Sequence, residues 1–174
     1  DMGMWSYDAK TNTWKELLSF KKVQSLVRSS KTAPASELQA AYSVKHKTIV
    51  AVQGKGTFAY DVSTNNWSRK ADTPGFGHDT HGVFVYDSHA DVFLLVSKDN
   101  WRGAKKPWQI HAYNLKTDKW ATVKINGTNL PDDSKNKAWL RYGFAGYYDV
   151  GNNALVLYEG RKSVSYIYRH KAGN

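Results

Sequence analysis

The chain contains no cysteine. Disulfides, thiolate metal sites and a cysteine nucleophile are thereby excluded, while the redox compartment stays open. No run of 18 apolar residues occurs, the least a membrane-crossing helix needs. The opening Asp1-Met2-Gly3-Met4-Trp5 does not read as a signal peptide; it lies already inside strand-like sequence. Acidic residues are the minority, 15 against 25 Lys and Arg, giving a net charge of +10 and a pI near 9.6. That balance predicts affinity for something anionic, or good solubility alone. What is present suits one globular domain. The 174 residues are 41% hydrophobic and 23% charged, enough for a core and too apolar for a disordered tail. Aromatics reach 14%, with seven Trp and eleven Tyr.

Two phrases repeat. Tyr7-Asp8-Ala9-Lys10-Thr11-Asn12-Thr13-Trp14 returns as Tyr60-Asp61-Val62-Ser63-Thr64-Asn65-Asn66-Trp67 and as Tyr113-Asn114-Leu115-Lys116-Thr117-Asp118-Lys119-Trp120. The spacing is 53 residues each time, from 7 to 60 to 113, and a fourth copy begins in Ser165-Tyr166-Ile167-Tyr168-Arg169. A second phrase starts at Tyr42, Tyr86 and Tyr148, each time a β-rich run, a short polar turn and another apolar run such as Val92-Phe93-Leu94-Leu95-Val96. Both phrases are hairpin signals. Two hairpins per repeat give four antiparallel strands in about 50 residues, the period of a β-propeller blade.

On the Tyr-Asp/Asn and Thr-x-x-Trp phrases the chain resembles the kelch-repeat β-propeller family, the blade type also found in galactose-oxidase-like proteins. The family's glycine pair is replaced by Gln53-Gly54, Ser97-Lys98 and Glu159-Gly160, and its Arg-x-x-His leader survives only as His78-x-x-His81. The expected fold is all-β, with kelch-like blades of four antiparallel strands, about three and a quarter in this chain. Labelling the strands of a blade a to d, the order reads c-d, a-b-c-d, a-b-c-d, a-b-c. One partial propeller domain over 1–174 follows, with blade parts at 1–18, 37–70, 81–124 and 143–170. The resemblance implies closure with six or seven blades, so missing blades would come from the same or another chain. An open stack would leave exposed edge strands.

In an antiparallel blade the a–b and c–d turns share one end, and the b–c and d–a connections share the other. The long segments Leu18 to Glu37, Arg69 to Thr80, Ser97 to Pro107 and Ile125 to Leu140 all belong to the second end. Long loops on a rigid scaffold are where function concentrates. The expected ligand-binding residues there are Trp101, Arg102, Lys105, Lys106, Trp108, Lys137, Trp139 and Arg141. Cations beside aromatic planes suit an anionic polysaccharide or an acidic protein surface, and for Trp101, Trp108 and Trp139 loop packing is the competing reading. Trp14, Trp67 and Trp120, fixed within the repeat, read as packing residues. Nucleic acid is the weaker expectation, since no recognised RNA-binding motif is present.

Chemistry is sparse. His78-Asp79-Thr80-His81 could offer two metal ligands, but the sequence places no third or fourth, so no metal and no cofactor is expected. Gly-x-Ser-x-Gly, phosphate-binding glycine loops and His-Glu-x-x-His are missing. A copper radical oxidase of the resembled kind needs a Tyr–Cys cofactor, which a chain without Cys cannot make. Asp132-Asp133 reads as turn chemistry. The sequence therefore points to a non-catalytic binding or scaffold module for an acidic partner or anionic glycan. The alternative is part of a carbohydrate-active enzyme, a polysaccharide lyase or hydrolase. Sequons at Asn66 and Asn126 weakly favour an extracellular or periplasmic location.

Overall fold

A computed structural model describes residues 3–27, 31, 34, 38–74, 82–97, 108–126, 130, 144–159 and 163–170. It is an all-β arrangement of four antiparallel sheets. The first holds β1 (Met4–Asp8) and β2 (Thr13–Leu18). The second holds β3 (Gln39–Ser43), β4 (Thr48–Gln53), β5 (Gly56–Asp61) and β6 (Asn66–Lys70). The third holds β7 (Val83–Asp87), β8 (Val92–Ser97), β9 (Gln109–Asn114) and β10 (Lys119–Thr122). The fourth holds β11 (Phe144–Asp149), β12 (Ala154–Glu159) and β13 (Val164–Tyr168). In every sheet, chain neighbours are sheet neighbours.

One local device builds the turns of both hairpin phrases. A tyrosine closes a strand, an Asp or Asn follows it, and a second Asp or Asn stands five residues after the tyrosine. The phenol of Tyr7 donates to Asn12 Oδ1 over 2.9 Å, that of Tyr86 to Asp91 Oδ1 over 2.7 Å, and that of Tyr113 to Asp118 Oδ1 over 2.8 Å. Tyr60 bonds Asn65 in the same way. The side chain after each tyrosine caps the turn: Asp8 accepts from the Lys10 and Thr11 amides, Asp61 from Ser63 and Thr64, Asp87 from His89 and Ala90, and Asn114 from Lys116 and Thr117. Asn12, Asn65, Asp91, Asp118 and Asn153 all have φ between 48° and 58°. Asn and Asp tolerate that left-handed region best among non-glycine residues. Tyr42 opens the exception, since its fifth successor is Lys47, also at positive φ.

The cores lie between sheets. Leu18 and Val23 pack with Tyr60 between the first and second sheets. Val50 and Val52 meet Phe84, Phe93, Leu95 and Tyr113 between the second and third. Val83, Val85, Leu94, Val96, Ile110 and Ala112 meet Leu155 and Leu157 between the third and fourth. This explains why β8 is buried at all six positions: Phe93 and Leu95 face one neighbouring sheet while Leu94 and Val96 face the other. An unbroken apolar run is what a strand covered on both faces requires. The leading strands β3, β7 and β11 lie side by side, β7 in the middle. Hydrogen bonds stitch the stack: Asn65 Nδ2 donates to Leu17 O over 2.7 Å, the Ala71 amide to Asp118 Oδ1 over 2.9 Å, and Trp120 Nε1 to Thr57 Oγ1 over 2.9 Å.

One helix appears where only a connecting segment was expected. α1 (Phe20–Ser25) is capped by Ser19, whose side chain accepts from the Lys22 amide, and it buries Val23 against the first core. At six residues it is too short for a periodic apolar pattern to show.

Candidate functional site

Strand direction divides each sheet into two ends, which meet across sheets at the outer strands, where Ala71 past β6 bonds Asp118 of the β9–β10 turn and Leu17 in β2 bonds Asn65 of the β5–β6 turn. The turn end carries the tight hairpins 9–12, 44–47, 62–65, 88–91, 115–118 and 150–153. The opposite, connecting end carries the long segments, along with the tight β4–β5 turn at Gly54 and Lys55. There Thr73 fastens the chain leaving β6: its amide donates to Lys55 O over 2.9 Å and its hydroxyl to Gly54 O over 3.0 Å.

The ends differ in charge. Among the described residues, Asp8, Asp61, Asp87, Asp91, Asp118 and Asp149 all sit at the turn end, spent on amides, phenols and cations. Hydrogen bonds from Lys10 and Thr11 to Asp8, and from Ser63 and Thr64 to Asp61, hold both carboxyls below the usual range. Among the described residues of the connecting end, Lys21, Lys22, Lys55 and Lys124 stand with few acids. Asp72 is tied to Arg69 at 2.6 Å, and Glu159 is buried, accepting from the Tyr166 hydroxyl over 3.3 Å. The Arg69 guanidinium also lies 5.6 Å from the centre of the Phe58 ring.

Of the eight residues expected to bind ligand, Trp101, Arg102, Lys105, Lys106, Lys137, Trp139 and Arg141 lie outside the described residues, as do His78 and His81. Trp108 is described, and it is not on an exposed face. It is 6% exposed and packs in the core between the third and fourth sheets with Leu130. The reason is strand parity. Trp108 precedes β9 by one residue, so it points the same way as Ile110 and Ala112, which alternate into that core. Its indole seals the connecting end of the interface and is withdrawn from the set available for stacking on a ligand.

Among the described residues, the turn end holds the most connected polar group. Asp91 Oδ1 takes the Tyr86 hydroxyl at 2.7 Å and lies 2.6 Å from His46 Nε2, while Oδ2 takes Lys45 Nζ at 2.7 Å. Lys116 Nζ stands 3.6 Å away. Burial pushes the Asp91 carboxyl up, but the bonds from Lys45, Tyr86 and His46 outweigh it and hold the group well below the carboxylate range. Lys45 and His46 belong to the β3–β4 turn and Asp91 to the β7–β8 turn, so this ion cluster clamps two sheets. Beside it, Tyr148 Oη lies 2.6 Å from Asp87 Oδ1 and 2.5 Å from Asn153 Oδ1, tying the third sheet to the fourth. Neither clamp was anticipated; the signal was the acid five residues after Tyr86, facing the cationic Lys45-His46-Lys47 turn.

A depressed carboxyl gives stability that is present above its unfolded value, about 3.9, and is lost as pH falls from there toward the folded value. Asp91→Asn is expected to cost about 2 kcal/mol at neutral pH, the scale of hydrogen bonds to a charged group. The gap from the parent protein should narrow on acidification below about pH 4. Urea unfolding at several pH values checks this; a gap as wide at low pH as at neutrality refutes the clamp.

The described titratable groups are structural in character. Burial raises the phenols of Tyr60, Tyr86, Tyr113, Tyr148 and Tyr168, which keeps them protonated donors instead of bases near neutrality. His111 is buried, which lowers its pKa, and its Nδ1 lies 3.1 Å from Thr122 Oγ1. Tyr168, Arg169 and His170 come together at the turn end, with Tyr168 Oη 3.2 Å from His170 Nδ1 and Arg169 reaching Asn152 O. Among the described residues no group of three His, Cys, Asp or Glu side chains is placed to hold a metal ion.

No protein-family model matches the chain, and no curated protein matches it. Among solved structures, that of YjhT aligns with 80% of this chain at 10% identity and a TM-score of 0.41. The chain spans about half of that structure, 53% of its length.

Proposed function

We propose that the chain is a run of kelch-like propeller blades serving as a non-catalytic binding module, whose connecting end holds an anionic glycan or an acidic protein surface. The observation that carries this reading is the segregation of charge. Among the described residues, carboxylates at the turn end are consumed by the fold, whereas the connecting end presents Lys21, Lys22, Lys55 and Lys124 with Asp72 and Glu159 already engaged. The sequence adds Arg28, Lys98, Arg102, Lys105, Lys106, Lys135, Lys137, Arg141, Arg161 and Lys162 to segments leaving that end, against the acids Glu37, Asp79, Asp99, Asp132 and Asp133, so cations stay in excess there. One-sided positive potential concentrates anions and speeds their capture. Trp101 and Trp139 remain the aromatic candidates beside those cations.

Retention on immobilised heparin and on immobilised polyglutamate tests the proposal and separates its two ligand classes. Reversing Lys22, Lys55 and Lys105 to Glu should weaken binding about tenfold or more, as expected when clustered cations are lost from a charged surface. Reversing three turn-end or strand cations, Lys10, Lys15 and Lys119, alters net charge equally and should leave most of the affinity. Equal losses from the two triple variants would mean that net charge alone binds, and the assignment of the end would be abandoned.

A further inference from the structure

The two outer faces of the stack are the two halves of a contact that the chain makes internally twice, and we propose that they dock on each other between copies of this chain, head to tail. At two of the three contacts between sheets, a sheet presents a Tyr–Trp pair to the sheet before it, which receives it on a flat row of small or apolar residues. The fourth sheet, with three strands, meets the third through Tyr148, Tyr166 and Tyr168 instead. Tyr113 and Trp120 of the third sheet meet Val50 and Val52 of the second; Tyr60 and Trp67 of the second meet Leu17 and Leu18 of the first.

The leading half is exposed on the first sheet. Tyr7 and Trp14 are 49% and 68% exposed, and Trp5 stands beside them on the same face. Their geometry is nevertheless that of the pairs packed between sheets. Ring centroids are 4.9 Å apart at 40° in Tyr7–Trp14, 5.2 Å at 47° in Tyr60–Trp67 and 5.0 Å at 34° in Tyr113–Trp120. An assembled aromatic pair loses little entropy on docking.

The trailing half is exposed on the fourth sheet. Register places Tyr147, Val156 and Ile167 in one row across β11, β12 and β13. The matching row of the third sheet, Val85, Leu94 and Ala112, is buried. On the fourth sheet Tyr147 is 59% and Ile167 64% exposed. The match extends to a hydrogen bond. Thr57, three residues before Tyr60 and opposite Val52, accepts the Trp120 indole of the next sheet. Ser165 holds the same place, three residues before Tyr168 and opposite Tyr158, and is exposed. A docked second copy would bring its Trp14 indole to that hydroxyl. Such a contact joins unlike faces, so it propagates into a ring or an array, and no strand is shared between copies.

Sedimentation velocity of the whole chain over a wide concentration range gives the test. The parent protein should form species heavier than its 19.7 kDa. Trp14→Lys and Ile167→Lys should each weaken self-association about tenfold or more, the loss expected for a central anchor. Mixing the two variants should restore one-to-one pairs, because each keeps the face the other lacks. Trp5→Ser and Tyr147→Ser form a second pair should either lysine variant fail to keep the parent's thermal midpoint. A parent that stays at 19.7 kDa, a variant on one face that is silent, or a mixture that does not pair would each overturn the proposal.

Discussion

Gly82→Ala should destabilise the protein by about 3 kcal/mol or more, the upper range for forcing atoms into packed structure. A Cβ built on Gly82 would lie 2.0 Å from the carbonyl oxygen of Val96 and 3.1 Å from its carbon. Those are backbone atoms of β8, the strand buried on both faces, and no rotamer change relieves the overlap. The chain must instead part β7 from β8 at their first pair, Val83 with Val96. The Gly82 carbonyl also receives the Gln39 side-chain amide from the neighbouring sheet, so the shift would loosen a contact between sheets as well. Thermal unfolding should show a midpoint lowered by roughly 6–12 °C for a chain of this size. A variant within a degree or two of the parent would mean that β7 and β8 are not held this closely.

Tyr113→Ala and Tyr7→Ala should differ sharply, although both remove the same residue of the same phrase. Tyr113 is fully buried, stacked against Trp120 and bonded to Asp118, which in turn holds the Ala71 amide of the preceding sheet. Its truncation should cost about 3–5 kcal/mol, the range for a buried aromatic. Tyr7 makes the corresponding bond to Asn12 but is half exposed, and its loss should cost about 1 kcal/mol or less. Chemical denaturation of dilute samples, where copies do not associate, makes the comparison. Similar losses at the two positions would show that the turn bond, and not burial between sheets, sets the value of the phrase.

The strands were legible because the repeat states them several times over. Tyr60-Asp61 and Thr64-x-x-Trp67 mark the end of one strand and the start of the next, and register pairs Tyr60 with Trp67 as the phrase implies. The expected order of two, four, four and three strands is the one found. The side of a strand to which a residue outside the phrase turns was harder to read. Trp108 stands in a basic, tryptophan-containing segment, company that points to a ligand, yet the alternation Trp108, Ile110, Ala112 carries its direction. The clamp at Asp91 is hidden in the sequence for a different reason. Lys45 and Asp91 are 46 residues apart, and only the stacking of two sheets makes them neighbours. The closeness of Gly82 to Val96 is likewise a property of backbone approach, which a single glycine before a strand does not announce.

The placement of the described apolar clusters between sheets has a consequence for how such a chain changes over evolutionary time. Duplicating a whole four-stranded unit supplies one new lower surface and one new upper surface, already matched to what they meet. No side chain elsewhere needs to be revised. Duplicating or losing half a unit leaves unmatched surfaces at once. Change in the number of units is thus all or none, whereas the length of a unit is free to vary: the step is 53 residues from Tyr7 to Tyr60 to Tyr113, but 44 and then 62 from Tyr42 to Tyr86 to Tyr148.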